Sequence, residues 1–254
     1  MRKYKGYLLD LDGTVYKGGK PFPEAVEFVQ TLNKLSIPYL FVTNNSTTSP
    51  GNVAARLTKL GIPCENSQVL TSSLAAASYI KERSVKQSAY IIGEEGLKEI
   101  LEKHDIREEE EEPGFVVVGL DRSLTYKKLE KACLAIRAGA HFLSTNQDAV
   151  LPTEQGLSPG NGAISAAITT ATGKNPVFIG KPESIMIEQA QKKINLEKEE
   201  IVLIGDNYDT DILAGIRAGV DTIHVNTGVT TTKEVSDKEI QPTYKISSLS
   251  EWLL

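Results

Sequence analysis

Apolar residues along the chain gather either into short continuous runs or into stretches with helical spacing. Tyr7-Leu8-Leu9 runs straight into Asp10, and Ile37-Pro38-Tyr39-Leu40-Phe41-Val42 runs into Thr43. Each reads as a buried strand halted by a polar residue. Between them Ala25, Val26, Phe28, Val29, Leu32 and Leu35 recur every three or four positions, with Pro23 at the entry, which predicts a helix. The same alternation returns late in the chain. Ile201-Val202-Leu203-Ile204-Gly205 leads into Asp206, Ile212 to Ala218 has helical spacing, and Thr222-Ile223-His224-Val225 reads as another strand. Strands alternating with helices predict an α/β fold with a Rossmann-like, mostly parallel sheet covered on both faces. Asp10, Thr43 and Asp206 then fall at carboxyl ends of strands, the edge where ligands bind in open α/β sheets.

The middle of the chain carries its own pattern. Tyr90-Ile91-Ile92, Phe115-Val116-Val117-Val118 and Phe142-Leu143 are strand candidates separated by helical stretches. A segment of this length is too long for a structureless loop. It predicts an α/β cap domain, residues 72–173, inserted into a core made of residues 1–71 and 174–254. Glu108 to Glu112 is a run of five acids before Pro113-Gly114, read as a solvated turn rather than a metal site. Trp252 with Leu249, Leu253 and Leu254 reads as a C-terminal helix packing its apolar side.

Composition narrows the classes. The 254 residues are 40% hydrophobic and 24% charged with a net charge of -5, the profile of a folded globular chain. There is no global positive field to gather nucleic acid or an acidic membrane surface. The basic start Met1-Arg2-Lys3-Tyr4-Lys5 is followed by an apolar stretch that Asp10 interrupts, too early for a signal peptide, and no run is long enough to span a bilayer. A cytoplasmic protein is expected. Cys64 and Cys133 have no second Cys or His at metal-ligand spacing, so they read as two ordinary buried thiols.

Candidate chemistry sits at the strand ends. Asp10-Leu11-Asp12-Gly13 on its own would be an ordinary turn. Gly205-Asp206-Asn207-Tyr208-Asp209-Thr210-Asp211 adds three acids at another strand end, and Thr43-Asn44-Asn45-Ser46-Thr47-Thr48-Ser49 adds hydroxyls and amides at a third. Several carboxylates on one edge repel unless a cation lies between them, and an all-oxygen donor set suits magnesium better than zinc. Weaker patterns carry less. Gly160-Asn161-Gly162 lacks the third glycine of a dinucleotide fingerprint and reads as a helix-entry turn. Ala171-Thr172-Gly173-Lys174 lacks the first glycine of a phosphate-binding loop, and no serine elbow is present.

In order, Asp10-Leu11-Asp12-Gly13-Thr14-Val15, Thr43-Asn44-Asn45, Lys181-Pro182 and Gly205-Asp206-Asn207 with Asp211 resemble the four motifs of the haloacid dehalogenase-like superfamily. The insertion between the second and third motifs is similar to that of subclass IIA, which includes p-nitrophenyl phosphatase-like and acid sugar phosphatases. The segment Thr145-Asn146-Gln147-Asp148 through Pro152-Thr153-Glu154 to Gly160-Asn161-Gly162 also resembles that subclass. The resemblance implies a phosphatase with Asp10 as nucleophile and Asp12 as the acid and base. It implies that Thr43, Asn44, Asn45 and Lys181 bind phosphate. Mg2+ would be held by Asp10, Asp206 and the Asp12 main-chain carbonyl, with Asp211 steadying its shell. The substrate it implies is a small phosphorylated metabolite, an acid sugar phosphate being favoured, and a homodimer through the cap is plausible. Phosphoryl transfer through the same Asp10, as in mutases, and a phospho-accepting regulatory module are the alternatives.

Overall fold

The computed structural model describes residues 3–83, 85–153 and 155–254, and of Pro152 the backbone alone. Met1, Arg2 and Glu154, to which the sequence pattern assigned parts, lie outside the described residues. The chain divides into two compact units. One comprises residues 1–43, 50–70 and 181–254, the other residues 44–49 and 71–180.

The first unit is built on a six-stranded sheet in the order Tyr244–Ile246, Asp221–Val225, Ile201–Gly205, Gly6–Leu9, Tyr39–Thr43, Val69–Thr71. Gly6–Leu9 runs parallel to both neighbours, with Leu9 opposite Ile204 on one side and Phe41 on the other. Its residues and those flanking it are almost entirely buried, as continuous apolar runs in a two-faced parallel sheet must be. From this central strand the chain moves outward to Tyr39–Thr43 and Val69–Thr71, then returns on the opposite side at Ile201–Gly205. The strand order therefore reverses between Gly6–Leu9 and Ile201–Gly205, and a doubly wound sheet opens its binding crevice at such a switch point. Asp10 and Asp206 are the residues that leave those two strands. The helix Pro23–Lys34 forms where its spacing predicts, with proline in its first turn, and buries Ala25, Phe28, Val29 and Leu32.

The second unit has a five-stranded sheet in the order Val177–Phe178, His141–Ser144, Phe115–Val118, Ser88–Ile92, Arg107–Glu108, every pairing parallel. The pleat sorts its side chains. Ala89, Ile91, Phe115 and Val117 pack with Ala77, Ile80, Leu97 and Leu101, while Tyr90, Ile92, Val116 and Val118 pack with Ala132, Ile136, Ile164 and Ile168. An antiparallel hairpin, Val150–Thr153 with Gly156–Pro159, precedes the helix Asn161–Thr172.

The division departs from the expected boundaries. The chain leaves the second unit after Gly180 rather than after residue 173, because Val177–Phe178 adds a strand beside Leu143-Ser144. Residues 44–49 also belong there. Ser72 Oγ and Asn146 Nδ2 donate to the Asn44 carbonyl at 2.7 and 2.9 Å, and Ser73 Oγ donates to the Ser46 carbonyl at 2.9 Å. The expected C-terminal helix is instead a short 3-10 turn, Leu249–Glu251. Trp252 is held by stacking on Tyr4 and by donating to the Tyr7 hydroxyl at 3.3 Å, while Leu253 is 79% exposed. Cys64 and Cys133 are only partly buried. Glu108 pairs in the edge strand, and the acids after it are mostly exposed.

Candidate active site

Asp10 continues the ladder one step past its strand, donating its N–H to the Ile204 carbonyl at 2.9 Å. Its side chain meets a buried lysine. Lys181, 2% exposed, donates to Asp10 Oδ1 at 2.5 Å, Asp211 Oδ1 at 2.6 Å and the Val42 carbonyl at 3.0 Å. An ammonium has three donors, and here each meets an oxygen. Asp211 sits on a π-helical turn, Tyr208–Ile212, the kind of irregular turn found at functional sites. Its Oδ2 accepts the Asn207 N–H at 3.1 Å, so one carboxylate both closes the turn and grips Lys181.

Asp206 is fixed from two directions. Thr14 Oγ1 donates to its Oδ1 at 3.0 Å and the Val229 N–H to its Oδ2 at 2.7 Å. Two glycines make room for it. Gly13 has φ +95°, and a Cβ there would lie 2.4 Å from Asp206 Oδ2; a Cβ on Gly228 would lie 1.9 Å from the same atom. Asp12, only partly covered, lies on the exit from the central strand, and the hairpin of Tyr16–Lys17 with Lys20–Pro21 follows it. The Arg56 guanidinium lies over the Tyr16 ring, 4.6 Å from its centre.

Carboxylate oxygens of Asp10, Asp206 and Asp211 lie within 4.8 Å of one another. Burial, then the Asp211 charge, push the Asp10 carboxyl well above its ordinary range, with Lys181 opposing. The same two causes raise Asp206 to about 6. Burial works against the Lys181 ammonium, yet Asp10 and Asp211 outweigh it and hold the pKa above the usual lysine value. Partial burial of the Asp12 carboxyl raises it, against Arg56 and Lys17. Three carboxylates beside one ammonium leave two formal negative charges in a largely buried place. An all-oxygen set with that charge deficit fits a hard divalent cation.

The structure thus brings Asp10, Lys181, Asp206 and Asp211 together. Thr43, buried, ends the neighbouring strand of the same unit. Asn44 and Asn45 belong to the other unit. Asn44 Nδ2 is 3.4 Å from both carboxylate oxygens of Asp148, and Asn45 Oδ1 accepts from the Thr47 N–H and hydroxyl at 2.8 and 2.9 Å, a local Asx-type turn. Sequence patterning assigned no part to the Thr14 hydroxyl, to Gly228 and Val229, or to His224. Gly228, the third residue of the polar segment after the strand Asp221–Val225, was the available signal. Among the described residues no helix is long and apolar enough to cross a membrane.

Comparison with known proteins places this geometry. The haloacid dehalogenase-like hydrolase profile matches residues 7–107, and a HAD-hydrolase-like profile matches residues 178–252. A 5'-nucleotidase of Bacillus subtilis, YutF, is 50% identical over 253 residues, covering 100% of this chain and 99% of that protein. An acid sugar phosphatase of Staphylococcus saprophyticus is 46% identical over 252 residues, covering 99% and 97%. Among solved structures, a thermostable NPPase from Geobacillus stearothermophilus in single-mutant form superimposes with a TM-score of 0.93 at 51% identity, covering 99% of each chain. NagD from E. coli K-12 reaches the same TM-score at 31% identity, again covering 99% of each chain. With likeness running the full length of both units, the chain belongs to the haloacid dehalogenase-like hydrolases, among the subclass IIA phosphatases that act on phosphoric monoesters.

Proposed function

We propose that the protein is a magnesium-dependent phosphatase that hydrolyses small phosphate monoesters through an aspartyl-phosphate on Asp10. The observation that carries this reading is the cluster of Asp10, Asp206 and Asp211 around the buried Lys181, two formal charges short of neutrality. Asp10 and Asp206, with the Asp12 main-chain carbonyl, would hold Mg2+. When bound, the ion offsets repulsion between the nucleophile and the phosphate dianion and withdraws charge from the phosphoryl oxygens. Asp211, whose two oxygens already engage Lys181 and Asn207, steadies the site.

The steps belong to the chain's own residues. Lys181 engages Asp10 Oδ1, so attack falls to Oδ2. A bond forms between that oxygen and phosphorus while the bond to the ester oxygen breaks, and Asp12 gives its proton to the departing alkoxide. Asp12, now ionised, takes a proton from water, which attacks the same phosphorus and releases inorganic phosphate and Asp10. The raised pKa of Asp12 suits it to both transfers. Thr43, Asn44 and Asn45 would donate to the phosphoryl oxygens, and Lys181 would place its charge where transition-state charge spreads.

Acid sugar phosphates are the proposed substrate class, supported by the 46% identical acid sugar phosphatase. Nucleoside monophosphates are the second reading, favoured by the 50% identical 5'-nucleotidase. Pairing of two copies through the cap belongs to the same proposal, which sedimentation velocity would read. The deciding experiment is a screen of phosphorylated metabolites for phosphate release, with and without Mg2+. Release from sugar-acid phosphates that stops on chelation and returns with Mg2+ is expected. Equal release in excess chelator would overturn the metal requirement, and preference for nucleotides would overturn the substrate class.

A further inference from the structure

The strand Asp221–Val225 supplies an imidazole that the reaction above does not use. His224 is fully buried and stands in register with Gly205, the residue before Asp206. Its Nε2 lies 3.1 Å from the main-chain oxygen of Asp206 and 2.9 Å from that of Thr230. Both are acceptors only, so Nε2 carries the proton and shares it between two carbonyls. Nδ1 has no hydrogen-bond partner among the described residues. The ring is therefore the neutral Nε2–H tautomer.

The two carbonyls it joins are the ends of a wrap around Asp206. Thr230 N–H donates to the Asp206 carbonyl at 3.2 Å, and Val229 N–H donates to Asp206 Oδ2 at 2.7 Å. Gly228 presses its backbone against the same carboxylate, and Thr230 Oγ1 accepts the Tyr208 N–H at 3.0 Å. If the shared N–H were removed, the Asp206 carbonyl would keep the Thr230 N–H, but the Thr230 carbonyl would be buried with no donor to replace the imidazole, and the 228–230 segment would have to shift to relieve it. The Val229 N–H would move with it. Asp206 Oδ2 would then lose the donor that sets its direction.

We propose that His224 is a positioning residue for the cation site, bridging the Asp206 and Thr230 carbonyls so that residues 228–230 hold the Asp206 carboxylate in place. The inference rests on the reading of Asp206 as a ligand of Mg2+. Residues that orient a metal ligand from behind typically change metal affinity by about 10–100-fold when replaced.

The test is Mg2+ binding to the metal-free protein, by calorimetry and by the Mg2+ dependence of its melting temperature, compared with the Mg2+ dependence of turnover. His224→Leu, similar in volume and without a donor, should weaken Mg2+ binding by about ten-fold or more, with kcat largely recovered at saturating Mg2+. His224→Gln, whose amide can donate to the same carbonyls, should restore most of the affinity. A folded His224→Leu protein with unchanged Mg2+ affinity would overturn the inference, as would a His224→Gln protein as weak as His224→Leu. Should His224→Leu fail to fold, NMR of the imidazole nitrogens in the unaltered protein decides. A protonated Nε2 whose resonance shifts on Mg2+ addition supports the bridge, and a protonated Nδ1 overturns it. Asp206→Asn runs alongside. If it too leaves Mg2+ affinity unchanged, the metal reading falls together with the inference; if it alone weakens binding, only the role of His224 falls.

Discussion

The two units share an architecture and differ in how they balance charge at the carboxyl edges of their sheets. In the cap, Asn161 Nδ2 gathers the Asn146 carbonyl at 2.8 Å, Ser144 Oγ at 2.9 Å, Thr145 Oγ1 at 3.3 Å and the Val118 carbonyl at 3.4 Å, while Ser144 Oγ meets Ser165 Oγ at 2.8 Å. The buried carboxylate beyond that edge, Asp121, is matched by the Lys128 ammonium at 2.7 Å. In the core, three carboxylates cluster beside one ammonium, Lys181, which pairs with Asp10 and Asp211. The cap network carries no net charge, although Asn161 Oδ1 is buried without a hydrogen-bond partner among the described residues, and the Asp121–Lys128 pair is matched in charge; both serve the fold. An unbalanced cluster stays costly until something of opposite charge arrives, which is what would make that edge a binding site.

Replacing residues in the two edges should therefore give effects of different kind. The largest is expected from Asp10→Asn, which removes the proposed nucleophile while keeping its shape. Turnover should fall by about 10⁴-fold or more with an unchanged circular dichroism spectrum, and substantial residual hydrolysis would break the covalent scheme. Next comes Lys181→Met. It removes a donor to the reacting centre, for about 10²–10³-fold in kcat, and strands two buried carboxylates, for about 3–5 kcal/mol in urea unfolding. Loss of activity without loss of stability would mean that the cluster is less strained than its charges imply.

The pH dependence of the metal-free protein should be smaller. Asp206 takes up its proton at about 6 in the folded chain against an ordinary 3.8. Between those values the folded state holds more protons than the unfolded one, so the Asp206 contribution to stability falls as pH rises through that window, and the raised Asp10 carboxyl adds a fall of the same sign. The Asp206 part of the fall should be about 3 kcal/mol, at 1.36 kcal/mol per pH unit. Saturating Mg2+ should suppress it, because the cation takes the place of the proton. A flat chelated profile between pH 4 and 6 would contradict the imbalance. The smallest effect is expected from Asn161→Leu in the cap, about 1–3 kcal/mol of stability from acceptors left without a donor. Its Mg2+ dependence should match the unaltered protein; a shift in it would erase the contrast between the two edges.

Much of this was open to reading in the chain, for identifiable reasons. Tyr7-Leu8-Leu9 and Ile201–Gly205 are uninterrupted apolar runs that end on a carboxylate, and only a strand buried on both faces tolerates such a run. Asp10 and Asp206 could therefore be assigned to one edge before any coordinates. Lys181 could not be placed by periodicity, since lysines mostly lie in solvent; its burial depends on Asp10 and Asp211, which lie 171 and 30 residues away. The cap boundary was misplaced because Val177–Phe178 is a two-residue strand, too short to leave a pattern. Residues 44–49 were assigned to the wrong unit because their partners are Ser72, Ser73 and Asn146, and a polar loop does not record which side it packs against.

What the sequence determined by itself was the alternation of strand and helix and the carboxylates that interrupt it, since burial imposes its period on neighbouring residues. What only the tertiary structure decided was the company those carboxylates keep. Thr14, Gly228 and Val229 around Asp206, His224 behind it, and Lys181 between Asp10 and Asp211 are brought together by the sheet order, which places next to each other strands separated by nearly two hundred residues.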